Sequence, residues 1–328
     1  MMELKRRDLF AGAAALSAAA ATFSPASLAP ASAQAPASGG GSGVFRHKLG
    51  DAEVIQILEG IRLIKYPDNF IVNVSKEQLG TIFEQAYMPG GIFRNPYCPV
   101  VVKAGGKTIV IDTGQGIAAG AQTNGELGHH RANLAAAGID AGAVDIVLIS
   151  HFHADHIGGL KNPDGTPAFP KAEIMVPATE HAFFTNEANM EKASPTNKGN
   201  FANVKKVFDG LKVTQYQAGK EVAPGITAIA SPGHTPGHTS FVVASGNKRV
   251  LIQGDIALAP DIFVKNPDLQ ILFDNDKEIA VTTRKKIYDM AVAEKLPVIG
   301  YHFPFGTVSY VEKAGNGYRL IAANGGIS

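Results

Sequence analysis

The residues of this chain whose types and spacing could do chemistry lie first at 151–156, His-Phe-His-Ala-Asp-His. They follow directly on an apolar run, residues 144–149. Three imidazoles and a carboxylate so close together are costly in a core, because buried polar groups need partners. At a strand end they can turn inward and share a cation. His151 and His153 alternate, so an extended segment sends both to one side and toward one metal. Asp155 and His156 sit on the next turn and can face a second. A nitrogen and oxygen donor set of this kind suits zinc, with manganese, cobalt or iron as other occupants. Gly158-Gly159 lets the backbone turn tightly beside them.

Three further runs stop in the same way. Residues 226–230 lead to Ser231-Pro232-Gly233-His234, residues 249–252 to Gln253-Gly254-Asp255, and residues 297–301 to His302. A lone histidine after a strand is more often a cap or a surface residue than a ligand. The recurrence changes the weighing: four apolar runs each end at His or Asp. Laid side by side in sheets, their ends converge on one edge and supply five histidines and two aspartates. One carboxylate can bridge two cations about 3.5–4 Å apart. Asp255, alone on its strand, is the natural bridge.

The elements that must position these groups read as strands at 52–58 and 60–64, then a helix at 76–86 with Ser75 as N-cap. A hairpin follows at 99–103 and 107–112, turning at Ala104-Gly105-Gly106. A helix at 127–137 ends at Gly138, a buried strand spans 144–149, and another strand spans 172–176. Helical segments fill 178–209. Strands follow at 213–215, 226–230, 239–243 and 249–252. The longest helix runs over 277–295, a short strand over 297–301, and a closing hairpin over 307–312 and 317–322. Two blocks of mostly antiparallel strands with interspersed helices predict a layered α/β sandwich.

Composition sets the outer limits. The 328 residues are 45% hydrophobic and 18% charged, with a net charge of +1. That balance excludes a strongly electrostatic partner such as duplex nucleic acid. The single cysteine, Cys98, excludes an internal disulfide framework and a thiolate-rich zinc site. It reads as a buried or loop thiol, and no G-x-S-x-G serine elbow is present. Residues 1–35 read as an export leader: Lys5-Arg6-Arg7, an Ala-rich stretch too short and weakly apolar to span a membrane, then Ala31-Ser32-Ala33 as a cleavage site. The paired arginines resemble a twin-arginine signal, which implies a folded, exported bacterial protein, periplasmic or secreted. Residues 36–45 read as a flexible linker, and 46–328 as one domain.

His-Phe-His-Ala-Asp-His resembles the H-x-H-x-D-H signature of the metallo-β-lactamase-fold hydrolase superfamily. The likeness extends over most of the mature chain. Val110-Ile111-Asp112-Thr113-Gly114 resembles the strand-and-turn element before the signature. Gly233-His234-Thr235-Pro236-Gly237-His238 resembles its third motif, Gly254-Asp255 its bridging aspartate, and His302 its final histidine. The resemblance implies an αββα sandwich in which one metal takes His151, His153 and His234. The other takes Asp155, His156 and His302, and Asp255 joins them. It implies two divalent ions, zinc first, and a metal-bridging hydroxide, oriented by Asp155 and Asp255, that cleaves ester, lactone or phosphotriester bonds. Residues 233–243, 254–260 and Arg284-Lys285-Lys286 are most similar to the methyl parathion hydrolase-like branch. The acyl-homoserine lactone lactonase-like branch is next. It carries a tyrosine three residues after the bridging aspartate, where this sequence has Leu258.

Further roles are assigned to single residues. Asp112 either fixes a ligand imidazole or caps its turn, and His238 does the same or steadies its own loop. His129 and His130 read as surface residues. Phe183, Phe184, Leu258, Phe273 and Phe303 are expected as an apolar substrate wall. The partner implied is a small-molecule substrate, with no nucleic acid and no stable membrane insertion after leader removal; a homodimer is left open. The rival readings are a lactonase proper, a nucleic-acid enzyme of the same fold, and a non-catalytic periplasmic metal-binding protein. Ala104–Lys107 followed by Thr108 is a false phosphate loop, since a hairpin is the wrong setting. Asn73-Val74-Ser75 is a glycosylation sequon of little meaning in a bacterial export context.

Overall fold

A computed structural model describes residues 43–193, 195–323 and 327. The expected leader and nearly all of the expected linker lie outside them. Sixteen strands are described: β1 (Val44–Leu49), β2 (Ala52–Ile57), β3 (Gly60–Lys65), β4 (Ile92–Tyr97), β5 (Val100–Ala104), β6 (Lys107–Ile111), β7 (Ile146–Leu148), β8 (Glu173–Pro177) and β9 (Val213–Tyr216) come first. β10 (Glu221–Ala223), β11 (Ile226–Ala230), β12 (Thr239–Ser245), β13 (Lys248–Ile252), β14 (Val298–Ile299), β15 (Ser309–Ala314) and β16 (Gly317–Ala322) complete them. One seven-stranded sheet has the order β1-β2-β5-β6-β7-β8-β9; the second runs β10 to β16 in sequence; β3 and β4 form a separate pair.

Alternation along the strands explains the layering. In β5, Val100 and Val102 face the second sheet while Val101 faces outward. In β6, Ile109 and Ile111 face inward and Val110 outward. In β13, Val250 and Ile252 face the first sheet and Leu251 the opposite side. A strand apolar on both faces must be covered on both. A short α2 (Ala119–Gln122) follows β6, and the first sheet's outer face is covered by α3 (His130–Ala136), α4 (Ala154–Ile157), α5 (Ala178–Phe184) and α7 (Pro195–Phe208), through Leu134, Ile157, Phe184, Phe201 and Val204. The second sheet's outer face is covered by α1 (Lys76–Gln85), α8 (Pro260–Phe263) and α9 (Lys277–Ala293), through Phe83, Phe263, Ile287 and Tyr288. The architecture is the expected αββα sandwich. Burying each such side chain contributes about 1.5–3 kcal/mol.

The departures have local causes. Four strand pairs are parallel, β6·β7, β7·β8, β8·β9 and β13·β14, because helical crossovers join them. The helix expected over 127–137 starts only at His130. Before it, Leu127 N–H donates to Thr123 Oγ1, and the N–H groups of Gly128 and His130 donate to the Glu59 carboxylate. His130 is therefore buried rather than on the surface, while His129 is exposed. β1 begins at Val44, within the segment read as linker. β4 was not foreseen because Pro96 lies within it; the proline is tolerated in an isolated two-stranded pair. The stretch 178–209 divides into α5, α6 (Glu187–Lys192) and α7, with Asn186 Oδ1 accepting from Ala188 N–H as the cap of α6. Ser75 forms the expected cap, with Gln78 completing a capping box. Among the described residues, no helix is long and apolar enough to cross a membrane.

Candidate metal centre

The C-terminal ends of β6, β7, β11, β13 and β14 open into the loops that carry Asp112, His151–Asp155, His234, Asp255 and His302. Parallel pairing keeps those ends level: Ile111 pairs with Leu148 on one sheet, and Ile252 with Ile299 on the other. The two sheets thus deliver all seven expected side chains to one edge.

The chain gathers them into two groups. His151, His153 and His234 form one; Asp155, His156, Asp255 and His302 form the other; in each, one donor atom per residue lies within 4.8 Å of the others. His153 Nδ1 is 3.1 Å from His151 Nε2 and 2.9 Å from His234 Nε2. Asp255 Oδ2 lies 3.4 Å from His156 Nε2, 3.3 Å from His302 Nε2 and 3.4 Å from His234 Nε2, so a single oxygen touches both groups. Asp155 Oδ2 is 3.4 Å from His302 Nε2 and 3.5 Å from His156 Nε2.

Three of the remaining ring nitrogens are committed elsewhere. His156 Nδ1–H donates to Asp112 Oδ2 at 2.8 Å, His234 Nδ1–H to Asp274 Oδ1 at 2.9 Å, and His302 Nδ1–H to the Pro96 carbonyl at 2.8 Å. Each bond turns Nε2 toward the cluster and, in the neutral ring, leaves it the lone pair that a cation would take. Buried His156 Nε2 and Asp255 Oδ1 have no hydrogen-bond partner in the protein. Ordinary buried polar atoms are satisfied. Three nitrogens holding a tetrahedral cation at the usual ~2.0–2.1 Å would stand about 3.3 Å apart, close to the spacing in the three-histidine group. The donor set therefore fits cations.

Burial and mutual proximity explain the electrostatics. Burial and the neighbouring His156 and His153 push His151 well down, and burial with His234 pushes His153 down to about 3. Burial opposes charge on His302 as well, but Asp255 and Asp155 outweigh it and lift this imidazole to about 9. Burial would raise both carboxylates; His156 and His302 overcome it and hold Asp155 and Asp255 below the usual carboxylate range.

The surrounding framework contains residues the sequence did not single out. Glu180 is fully buried; its Oε1 accepts from Phe152 N–H at 3.0 Å and its Oε2 from Gly237 N–H at 2.7 Å. It joins the loop of His151 and His153 to the loop of His234. Burial raises its carboxyl to about 7 against those bonds. A lone glutamate at the start of α5 gives no such signal in sequence. Asp274 and Arg284 were also missed as site residues, although an arginine on the apolar stripe Ala280, Ile287, Tyr288 and Ala291 of α9 was a readable cue. His238 Nε2 accepts from Asp255 N–H at 3.0 Å, and its Nδ1 meets Ser231 Oγ at 2.8 Å. It thus steadies both its own loop and the Asp255 backbone. Gly254, at φ 61°, allows this approach: a Cβ there would fall 2.6 Å from His238 Nε2.

A family model for the metallo-beta-lactamase superfamily matches residues 94–293. The chain belongs to this superfamily. The chain is similar to a probable metallo-hydrolase of Mycobacterium tuberculosis, 28% identical over 33% of this chain and 36% of the relative. An N-acyl homoserine lactonase of Bacillus thuringiensis is 27% identical over 47% of this chain and 53% of the relative. The matches thus span about half the length of the lactonase, and about a third of the mycobacterial protein. Two solved structures superpose with a TM-score of 0.77 over 85% of this chain and 97% of theirs. One is the hydrolase AbOPH at 24% identity, a likeness of fold; the other is AidC, a dizinc quorum-quenching lactonase in complex with a product, at 26%.

Within this superfamily member, a cleft of about 480 Å³ opens beside His302. Ile61, Ile92, Phe93, Arg94 and Pro96 of the β3–β4 pair line it, with Met88, Pro260, Asp261, Pro304 and Phe305. The five residues expected as substrate wall do not line this cleft. Phe183 and Phe184 pack with Phe201 against the first sheet, Leu258 and Phe303 are buried under the second, and Phe273 is half exposed, edge-on to Phe70 at 5.8 Å. Except at Phe273, their apolar character is satisfied by core packing. Cys98 is buried, as expected, and burial pushes its thiol up.

Proposed function

We propose that this chain is a dinuclear metallohydrolase that cleaves ester, lactone or phosphotriester bonds of small apolar substrates, exported to the periplasm or beyond by residues 1–35. The observation that carries the reading is Asp255 Oδ2, one buried oxygen within 3.4 Å of His156, His302 and His234. A single acceptor shared between two imidazole groups is the arrangement a bridged ion pair requires. His151, His153 and His234 would hold one ion and Asp155, His156 and His302 the other, with Asp255 between them; zinc suits the donors. When bound, such a pair lowers the pKa of a water and polarises the substrate's carbonyl or phosphoryl oxygen.

The residues of the chain divide the remaining work. Asp255 and Asp155 offer carboxylate oxygens that orient a water; Asp155, 18% exposed, is the one that reaches toward solvent. Tyr301 Oη donates to the Asp155 carbonyl and holds that turn. His302 forms part of the cleft wall, so a substrate lodged there has its reactive group beside the centre. The wall is mainly apolar, with Arg94 and Asp261 as its charged members. That lining favours a neutral substrate with an apolar arm.

A homoserine-lactone substrate is the second reading, supported by the lactonase relative and by the lactonase fold neighbour. Leu258, 8% exposed, cannot donate a hydrogen bond to an oxyanion there, which favours the broader reading. The deciding experiment compares rates on acyl-homoserine lactones, aryl esters and a phosphotriester, with metal content measured per chain. Two ions with turnover on at least one class is the expected result. Two ions with no hydrolysis of any class would leave a metal-binding protein instead. Asp255→Ala is expected to lower metal occupancy and turnover together; unchanged values for both would remove Asp255 from the site.

A further inference from the structure

We propose that Arg284, acting through Asp274, is a positioning residue that ties His234 to Asp255 and so sets the spacing between the two halves of the centre. The proposal rests on the two-ion reading above.

Arg284 is 1% exposed on α9. A buried guanidinium is expensive unless its donors are used, and an apolar side chain of similar volume would pack there at lower cost. Its donors are spent on the loops around the centre. Nε–H donates to the Ile256 carbonyl at 2.7 Å, and Nη1 donates to the Pro267 and Leu269 carbonyls at 2.8 Å each. Ile256 directly follows Asp255 in the chain. Nη2 faces Asp274 Oδ2 at 3.7 Å. Asp274, itself buried, accepts from His234 Nδ1–H through its other oxygen. One planar cation thus holds the carbonyl of Ile256, one residue past Asp255, with one edge and stands against the carboxylate behind His234 with another.

The helix that carries Arg284 is also pressed onto the His234 loop. Thr283 Oγ1 donates to the Pro232 carbonyl at 2.6 Å. Gly233, at φ 127°, lets the loop approach so closely that a Cβ would fall 2.3 Å from Ala280 N. Two adjacent turns of α9, through Ala280 and Thr283, therefore locate the His234 loop, while Arg284 reaches across to the peptide following Ile256, beside the Asp255 strand end. Asp255 Oδ2 and His234 Nε2 are 3.4 Å apart, the distance this tie would maintain.

The test is metal retention, read without turnover. Parent, Asp274→Ala, Asp274→Asn and Arg284→Lys are loaded with cobalt(II), titrated for stoichiometry and visible absorption, and challenged with a chelator; melting is recorded with and without metal. The parent is expected to bind two ions. Asp274→Ala should hold one of them about 10–100-fold more weakly, with an altered cobalt spectrum and a metal-free melting temperature near the parent's. Asp274→Asn, which still accepts from Nδ1–H, should recover part of the loss. Arg284→Lys keeps the charge but not the fork, and should weaken both ions; should it fail to fold, the Asp274 pair decides. Retention by Asp274→Ala equal to the parent's overturns the proposal, as does a loss that appears equally in metal-free melting. A parent that binds fewer than two ions overturns the two-ion centre itself, a result visible before any variant is made.

Discussion

Asp112 meets His156 at 2.8 Å from a backbone held in the left-handed region, at φ 61°. Its carboxylate also accepts from the N–H and the hydroxyl of Ser150, the residue before His151. A non-glycine residue in that region is strained by about 1–3 kcal/mol, and such strain clusters where function over-determines the backbone. Asp112→Asn preserves tolerance of the left-handed conformation but loses the charge behind His156. It should weaken metal retention about 10–100-fold. Chelator competition checks this, and retention equal to the parent's would show that Asp112 only closes its turn.

Glu180 is the carboxylate that clamps the two histidine loops, through Phe152 N–H and Gly237 N–H. Alanine leaves both donors unpaired in the interior, at about 1–3 kcal/mol each. Glutamine offers one acceptor where the carboxylate offers two, so its cost should be about half. Denaturant midpoints in the order parent, Glu180→Gln, Glu180→Ala are expected. Equal midpoints for all three would mean that the loops are held by their packing alone.

The cleft beside His302 makes a prediction about specificity. Ile92 lines it and is 47% exposed. Ile92→Asp removes apolar contact and adds a charge, and should lower kcat/KM for an apolar aryl ester by roughly tenfold, about 1.4 kcal/mol. Metal content should not change. A rate unaffected by this substitution places the substrate elsewhere.

His130 gives the chain an acid-sensitive element away from the centre. Burial pushes its imidazole down to about 3 from an ordinary 6.5. The folded state therefore favours the neutral ring. Its contribution is complete above about pH 6.5 and is lost as the pH falls from there toward 3. In metal-free protein, His130→Gln should flatten the decline of melting temperature between pH 6.5 and 4. A decline as steep as the parent's would assign it to other groups.

The sequence made much of this protein legible because its centre is written in strand ends. An apolar run followed by His or Asp recurs four times, and runs as short and apolar as 144–149, 226–230 and 249–252 read as buried sheet strands. Once those runs are sheet strands, pairing rules level their ends, so His151, His153, Asp155, His156, His234, Asp255 and His302 could be named together. Residues that act from a single position were harder to read. Glu180 and Asp274 carry no spacing pattern, Arg284 shows only as a cation on the apolar stripe of α9, and His130 reads as a polar surface residue, whereas Glu59 accepts its N–H and it lies inside.

Local chemistry and the order of short apolar runs, both encoded along the chain, determined the donor set and the layered architecture. The sequence already named Asp255 as the bridge; tertiary structure alone decided that Glu180 and Arg284 tie the loops around it, that Phe183, Phe184, Leu258 and Phe303 fill cores, and that the cleft is lined from β3, β4 and the start of α8. These are contacts between residues distant in sequence, set by close packing and buried hydrogen bonds, which no local pattern records.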